Sequence, residues 1–233
     1  MKVEDPQKNR QMFDEIARDY DRANAFITFG RYKSWYRILV KMSGIKSGDR
    51  VLDCATGTGN VPIEFKRIIG DDVVTVGVDV SEKMLDIAKQ KAEAAGYDIE
   101  FRIEDILDMS FPDNSFDAAT ITFGIRNTVS IEKTLEEMAR VVRPGGKVLV
   151  LETGKTNGFM NSVYNVFQKI FVRPVGMFLT GHKDAYKWLT ESSNDFPSGT
   201  DFVNIMNGTG RFGKTSFRRL MFGYIFLYVG EVK

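Results

Sequence analysis

The chain has 233 residues, 43% of them hydrophobic, and a formal net charge of +1. That is enough for one substantial core, without the basic excess that holds nucleic acid. Its one cysteine, Cys54, excludes an internal disulfide and fits a reducing compartment. In chain order, residues 8–42 read as helical, with Phe13, Ile16 and Tyr20 on one face. RVLDCA at 50–55 is an apolar strand that runs into the glycine turn ATGTGN. VVTVGVDV (73–80) is a second strand ending at Asp79, and 81–96 is a helix with Ser81 to cap it and Gly96 to end it. Strands follow at 99–105 and 116–123. The helix at 130–142 carries Ile131, Leu135, Met138 and Val142 on one stripe. RPGG turns the chain into a fifth strand, 147–152. Residues 157–196 read as helical and aromatic, and FGYIFLYVGEVK closes the chain as an edge strand.

Strands alternating with helices imply βαβ units: an α/β fold, a Rossmann-like sheet with helices on both faces and an antiparallel late strand. We expect one domain over 1–233, with an N-terminal helical lid (1–45), a cofactor-binding core (48–152), a helical substrate-side insertion (156–200) and a C-terminal strand region (201–233). The polar start and the lack of ~20 consecutive uncharged apolar residues imply a cytoplasmic protein with neither leader nor spanning helix.

In such sheets a ligand lies at the carboxyl ends of the strands, where ATGTGN sits. Gly57 and Gly59 let backbone amides approach it closely. A dinucleotide fingerprint requires a third glycine where Pro62 stands, which argues against the main rival, NAD-dependent oxidoreduction. Asp79, 20 residues after Gly59, can accept both hydroxyls of a ribose. Asp105, at the end of the third strand, can accept from the exocyclic amine of adenine. Loop, ribose acid and adenine acid together describe the S-adenosylmethionine site of class I methyltransferases. Asp53, at the end of the first strand, joins the candidate cofactor residues or simply caps the turn. Cys54 reads as a small buried residue.

The stretches YDRANAFITFGRYKSW (20–35), LDCATGTGN, FGIRNTVSIEKTLEEMARVVRPGGKVLVLETGK (123–155), DAYKWLTESSNDFP (184–197) and DFVNIM (201–206) resemble the UbiE/MenG family of quinone-biosynthesis C-methyltransferases. The likeness runs from about residue 12 to the end. It implies methyl transfer from S-adenosylmethionine, with no metal, to a ring carbon of a demethylated polyprenyl quinol, demethylmenaquinol first. By the same likeness Gly57 and Thr58 lie against the cofactor, Asp79 takes the ribose, Asp105 and Ile106 border the adenine, and Thr122 lies near the cofactor. A lipid-like quinol implies peripheral contact with the inner face of a membrane, through 157–180, and the likeness leaves a homodimer open. A second methyltransferase reading keeps this site but uses another apolar acceptor.

A ring carbon is a poor nucleophile until an adjacent hydroxyl loses its proton, so the site must stabilise a phenolate and align carbon with methyl. The candidates are Arg126 and Asn127 after the fourth strand, with Tyr20 lining the pocket. Arginine stays protonated, so Arg126 reads as a cationic stabiliser of the oxygen and Asn127 as a group that orients the quinol. The alternative for Arg126 is a salt bridge that holds the loop. Asp79, through a water, is the candidate to take the proton. Trp35, Tyr36, Phe159, Tyr164, Phe167, Phe171 and Phe178 are candidates for an isoprenoid channel or for ordinary core. The chain departs from the family pattern at Ala23, Thr28, Asn60 and Gly154. Tyr32 and Tyr228 stand where the family has histidines, which puts the acceptor, not the transfer chemistry, in question.

Overall fold

A computed structural model of the chain describes residues 6–155, 166–181, 192–193 and 196–233. Five strands pair in parallel: β1 (Arg50–Cys54), β2 (Val74–Asp79), β3 (Glu100–Ile103), β4 (Phe116–Thr122) and β5 (Val142–Thr153). Two more, β6 (Phe212–Leu220) and β7 (Ile225–Val232), pair antiparallel. The order across the sheet is β3-β2-β1-β4-β5-β7-β6. The chain winds outward from β1 to β3 and then returns to β4 on the other side of β1. That reversal opens a crevice at the carboxyl ends of β1 and β4. The Rossmann-like α/β architecture with an antiparallel end is therefore as the sequence implies.

Period-two alternation assigns side chains to the two faces. Val51, Ala118, Leu149, Leu151 and Leu227 pack with Trp35 and Leu39 of α2 (Tyr32–Ser43) and with Val61 and Phe65 of α3 (Asn60–Ile69). Leu52, Val76, Ala119, Ile121, Val148 and Val150 face the other way. They pack with Leu135 and Met138 of α5 (Ile131–Val141) and with Phe202 and Met206 of α7 (Thr200–Gly208). Ser81 caps α4 (Glu82–Ala94) by accepting the Met84 N–H, as its position predicts. The longest helix, α1 (Pro6–Ile27), lies against α4 and α6 (Arg173–Thr180). Its buried Ile16, Ala17 and Ala23 meet Met84 there.

Three expectations are corrected. The final strand is not an edge. β7 sits between β5 and β6 and is buried on both faces over most of its length. The edge is β6, whose exposed Lys214, Arg218 and Arg219 blunt an open ladder. Those charges hide β6 from a search for apolar alternation. The helical stretch 8–42 is two helices, because Phe29 (φ 50°) and Gly30 (φ 70°) enter the left-handed region. RPGG is not a turn before a strand but a bulge within β5. Phe116 pairs with Val142 and Ala118 with Lys147, so residues 143–146 loop out. Of the stretch 157–196, residues 168–180 are helical, while Phe159 and Tyr164 lie outside the described residues. No helix among the described residues is long and apolar enough to cross a membrane.

Candidate functional site

β1 ends at Cys54, and Ala55 turns the chain at φ 49°. Gly59 caps α3 at φ 74°, and a Cβ there would sit 2.9 Å from that of Ala88. Glycine is therefore fixed by both torsion and space. At the end of β2, Asp79 Oδ2 accepts the Gly57 N–H at 2.8 Å and Oδ1 accepts the Ser81 N–H at 2.9 Å. Burial raises the Asp79 carboxyl above its usual range, and those N–H bonds pull it back. Loop and carboxylate are thus locked together before any ligand enters.

They open onto a cavity of about 310 Å³ lined by Gly57, Asp79, Asp105, Ile106 and Thr122, with apolar Met84 and Leu107. Asp105 stands two residues past β3, and its Oδ1 accepts the Leu107 N–H at 2.9 Å. Helix α1 closes the other side with Asn9, Phe13 and Tyr20. A polar strand-end carboxylate, a glycine loop and an apolar slot suit a nucleoside. Two non-glycine residues at positive φ, Ala55 and Phe123 (φ 55°), line this cavity from the ends of adjacent strands. Left-handed backbone of this kind costs ~1 kcal/mol or more per residue and is concentrated at ligand sites.

A second cavity, about 130 Å³, adjoins the first and shares Tyr20 and Phe123 with it. Its walls are aromatic: Tyr32, Trp35, Tyr36 and Phe167. Arg126 and Thr153 line it too, with polar Asn24, Thr28, Gln168 and Ser193 and apolar Ile27 and Val172. Burial raises the Tyr20 phenol, which the Asn24 bond and nearby Arg126 offset. Phe171 is not among the lining residues; it stacks between Phe29 and Phe167. Phe178 is 87% exposed.

Behind Arg126 stands a residue that sequence reasoning passed over. Glu152, at the end of β5, is 0% exposed and forms an ion pair with Arg126 Nη1, which also donates to the Phe123 carbonyl at 2.9 Å. Glu152 Oε1 further accepts the Thr153 N–H at 2.8 Å and the Thr153 hydroxyl at 3.1 Å. A charged residue ending the apolar run KVLVLE was the available signal. The loop-holding salt bridge considered for Arg126 therefore exists, and the same guanidinium still faces the cavity.

The structure thus brings Tyr20, Gly57, Asp79, Asp105, Ile106, Thr122 and Asn127 to one cavity, and Arg126 with Tyr20 to its neighbour. Asn127 lines the first cavity, with its Nδ2 3.4 Å from the Phe123 carbonyl. Two candidates lie behind the loop. Asp53 is 1% exposed and accepts the Thr120 hydroxyl at 2.5 Å. The Thr58 hydroxyl donates to Asp21 Oδ1 at 2.7 Å. Tyr228 is in neither cavity. It is buried against Phe202 and Phe226, and its hydroxyl accepts the Gly199 N–H at 2.8 Å. Of the two replaced histidines, only Tyr32 borders a cavity.

Asp21 ties α1 to the glycine loop. Its Oδ1 also accepts from Asn60 Nδ2 at 2.8 Å, and its Oδ2 takes the Lys91 ammonium at 2.6 Å. Lys91 donates in turn to Asn60 Oδ1 at 2.7 Å. An aspartate at 60 would set two carboxylates face to face, so the departure at Asn60 fits this network.

Burial raises the Asp53 carboxyl to about 7, against the Thr120 hydroxyl bond and neighbouring Thr56, which lower it. A carboxyl raised on folding stays protonated in the native state after the unfolded chain has ionised. Stability therefore falls as pH rises from ~4 to ~7, by at most ~4 kcal/mol, and is flat above. Asp53→Asn removes that dependence. We expect it to raise stability at pH 8 by ~1–2 kcal/mol, allowing for an unmatched amide hydrogen, and to change little at pH 4. Thermal melts at the two pH values check this.

A model of the ubiE/COQ5 methyltransferase family matches residues 1–232. The chain is 43% identical to the ubiquinone/menaquinone biosynthesis C-methyltransferase UbiE of Bdellovibrio bacteriovorus, covering 98% of this chain and 97% of that one. It is 38% identical to the protein of the same name from Geotalea daltonii, covering 98% of each. Among solved structures it is similar to an S-adenosyl-L-methionine-dependent methyltransferase of Methanococcus maripaludis, with TM-score 0.68 at 16% identity over 95% of this chain and 94% of that one. A methyltransferase of Thermotoga maritima gives TM-score 0.67 at 18% identity, over 97% and 100%. At such identity these two speak for the fold alone.

Proposed function

We infer, because this chain belongs to the ubiE/COQ5 methyltransferase family, that it methylates the ring carbon of demethylmenaquinol. It is an S-adenosylmethionine-dependent C-methyltransferase of the quinone-biosynthesis type. The observation that carries the finer reading is the pair of adjoining cavities that share Tyr20 and Phe123, with one guanidinium, Arg126, in the aromatic one. A donor in the first cavity then meets a ring in the second, next to a cation that can hold a phenolate. The aromatic side chains of Tyr32, Trp35, Tyr36 and Phe167 suit the flat faces of a fused bicyclic ring.

In this reading Asp79 accepts the ribose hydroxyls, Gly57 brings the loop backbone close, Asp105 and Ile106 border the adenine, and Thr122 lies near the sulfonium. The residues of the first cavity suit this methyl donor, since it holds a carboxylate for the ribose and apolar side chains for the base. Arg126 steadies the ring oxygen and Tyr20 closes the space between donor and acceptor. The polyprenyl tail leads out past Phe167 toward Phe29, Ile170 and Phe178, which are 68%, 73% and 87% exposed. Exposed apolar side chains beside Lys169 suit a peripheral contact with an anionic bilayer, and flotation with anionic liposomes tests it.

The test of function is release of S-adenosylhomocysteine with chemically reduced short-tail demethylmenaquinol, alongside a demethylated benzoquinol and a no-acceptor control. Faster turnover with the bicyclic acceptor supports the reading. Preference for the benzoquinol overturns the head group. No release with either quinol, from protein that still binds S-adenosylmethionine, overturns the quinol and favours another apolar acceptor.

A further inference from the structure

We propose that Glu152 takes the proton of the acceptor's ring hydroxyl, relayed through the Thr153 hydroxyl, so that the negative charge passes from Glu152 to the ring oxygen beside Arg126. This rests on the quinol reading above and names the proton's destination within that same site.

Among the described residues that line the acceptor cavity there is no carboxylate and no imidazole. Asp79 lines the other cavity, with one oxygen bonded to the Gly57 N–H and one to the Ser81 N–H. Asp53 lines neither cavity. Thr153 does line the acceptor cavity, and its hydroxyl already donates to Glu152 Oε1 at 3.1 Å. A hydroxyl both gives and accepts. It can receive the ring proton on its oxygen as its own proton moves to Glu152.

Charge supplies the second argument. Arg126 and Glu152 form one cation and one anion, with side-chain exposures of 8% and 0%. Proton loss to bulk water would leave two anions, carboxylate and phenolate, on one guanidinium in a dry site. Transfer to Glu152 keeps one anion throughout and only changes where it sits. The pair has atoms to spare for this exchange: Glu152 Oε2 and Arg126 Nε are buried without a hydrogen-bond partner among the described residues. Burial also raises the Glu152 carboxyl, against the lowering by Arg126, so the group is readier to hold a proton than a surface carboxylate.

The steps balance. The ring O–H breaks and its proton reaches Glu152. The electron pair of the phenolate forms the new C–CH3 bond from the ring carbon as the S–CH3 bond breaks, and S-adenosylhomocysteine leaves. The ring carbon then loses its hydrogen as a proton, the ring regains aromaticity, and the oxygen recovers a proton from Glu152. One proton is released overall.

The test compares Glu152→Gln, Thr153→Val and Thr153→Ser with wild type across pH, using reduced short-tail demethylmenaquinol. We expect Thr153→Val to lower kcat about 10- to 100-fold with KM unchanged, within the usual span of general base effects. Thr153→Ser should restore kcat to within about threefold, because the relay hydroxyl returns. Glu152→Gln and Thr153→Val should both regain activity as pH rises toward the acceptor hydroxyl's own pKa, where solvent removes the proton. Wild-type kcat and pH profile in Thr153→Val overturn the proposal. So does a loss in both variants that is equal at every pH, the mark of a structural role. A wild type that binds S-adenosylmethionine but turns over no demethylated quinol overturns the quinol reading, and the proposal with it.

Discussion

Arg126→Ala is expected to lower kcat by roughly 10²–10³, the usual cost of losing one preorganised donor to a developing oxyanion. S-adenosylmethionine binding should stay nearly unchanged, because Arg126 lines the acceptor cavity and not the donor cavity. The variant should also lose stability, by ~3–5 kcal/mol, since Glu152 is left buried without its counter-charge. Glu152 will answer by holding its proton to higher pH. Its carboxyl is then raised further on folding, so the lost stability should grow as pH climbs above the ordinary carboxylate range. The double variant Arg126→Met with Glu152→Gln separates the two effects. Both charges go together, so the melting temperature should return close to wild type while kcat stays low. Calorimetry and single-turnover kinetics on the three proteins decide it. Recovery of both properties in the double variant would mean that the ion pair only holds the loop.

Asp79→Ala should weaken S-adenosylmethionine binding about 100-fold, because the proposed charged hydrogen bonds to two ribose hydroxyls contribute ~1.5–3 kcal/mol each and are partly replaced by water. The same carboxylate orients the loop through the Gly57 and Ser81 N–H groups, so the rate of turnover at saturating donor should fall as well. Asp79→Asn should lie between, since one amide oxygen still accepts while the NH2 faces a backbone donor. Protonation of Asp79 removes the same acceptor. Its carboxyl is raised by burial, so wild-type affinity should fall as pH drops, earlier than for an exposed aspartate. Titration calorimetry between pH 5 and pH 8 is the measurement. An affinity independent of both pH and residue 79 would take Asp79 out of the donor site.

The sheet was legible because its strands are apolar runs broken by glycine and by caps such as Ser81. Elements set by tertiary contact were not. β6 pairs through its backbone and exposes its charges, so its side chains show no apolar alternation to mark it. β7 looks like an edge until its two-sided burial is seen. In the site, Gly57, Asp79, Asp105, Ile106 and Thr122 follow strand ends and could be placed by counting. Glu152 could not, because its partner Arg126 lies 26 residues away and only the parallel pairing of β4 with β5 joins them. Asn60 likewise reads as a departure until Asp21 and Lys91 stand beside it. Tyr228 reads as a substrate clue until its hydroxyl meets Gly199.

The tie between Asp21, Asn60 and Lys91 has a consequence for how firmly α1 is held over the glycine loop. Helix α1 walls both cavities, the first with Asn9, Phe13 and Tyr20 and the second with Tyr20, Asn24 and Ile27, so among the described residues one helix bounds both chambers. Because this tie is ionic and about one-third exposed at each partner, added salt weakens it and leaves α1 held mainly by its apolar packing against Met84.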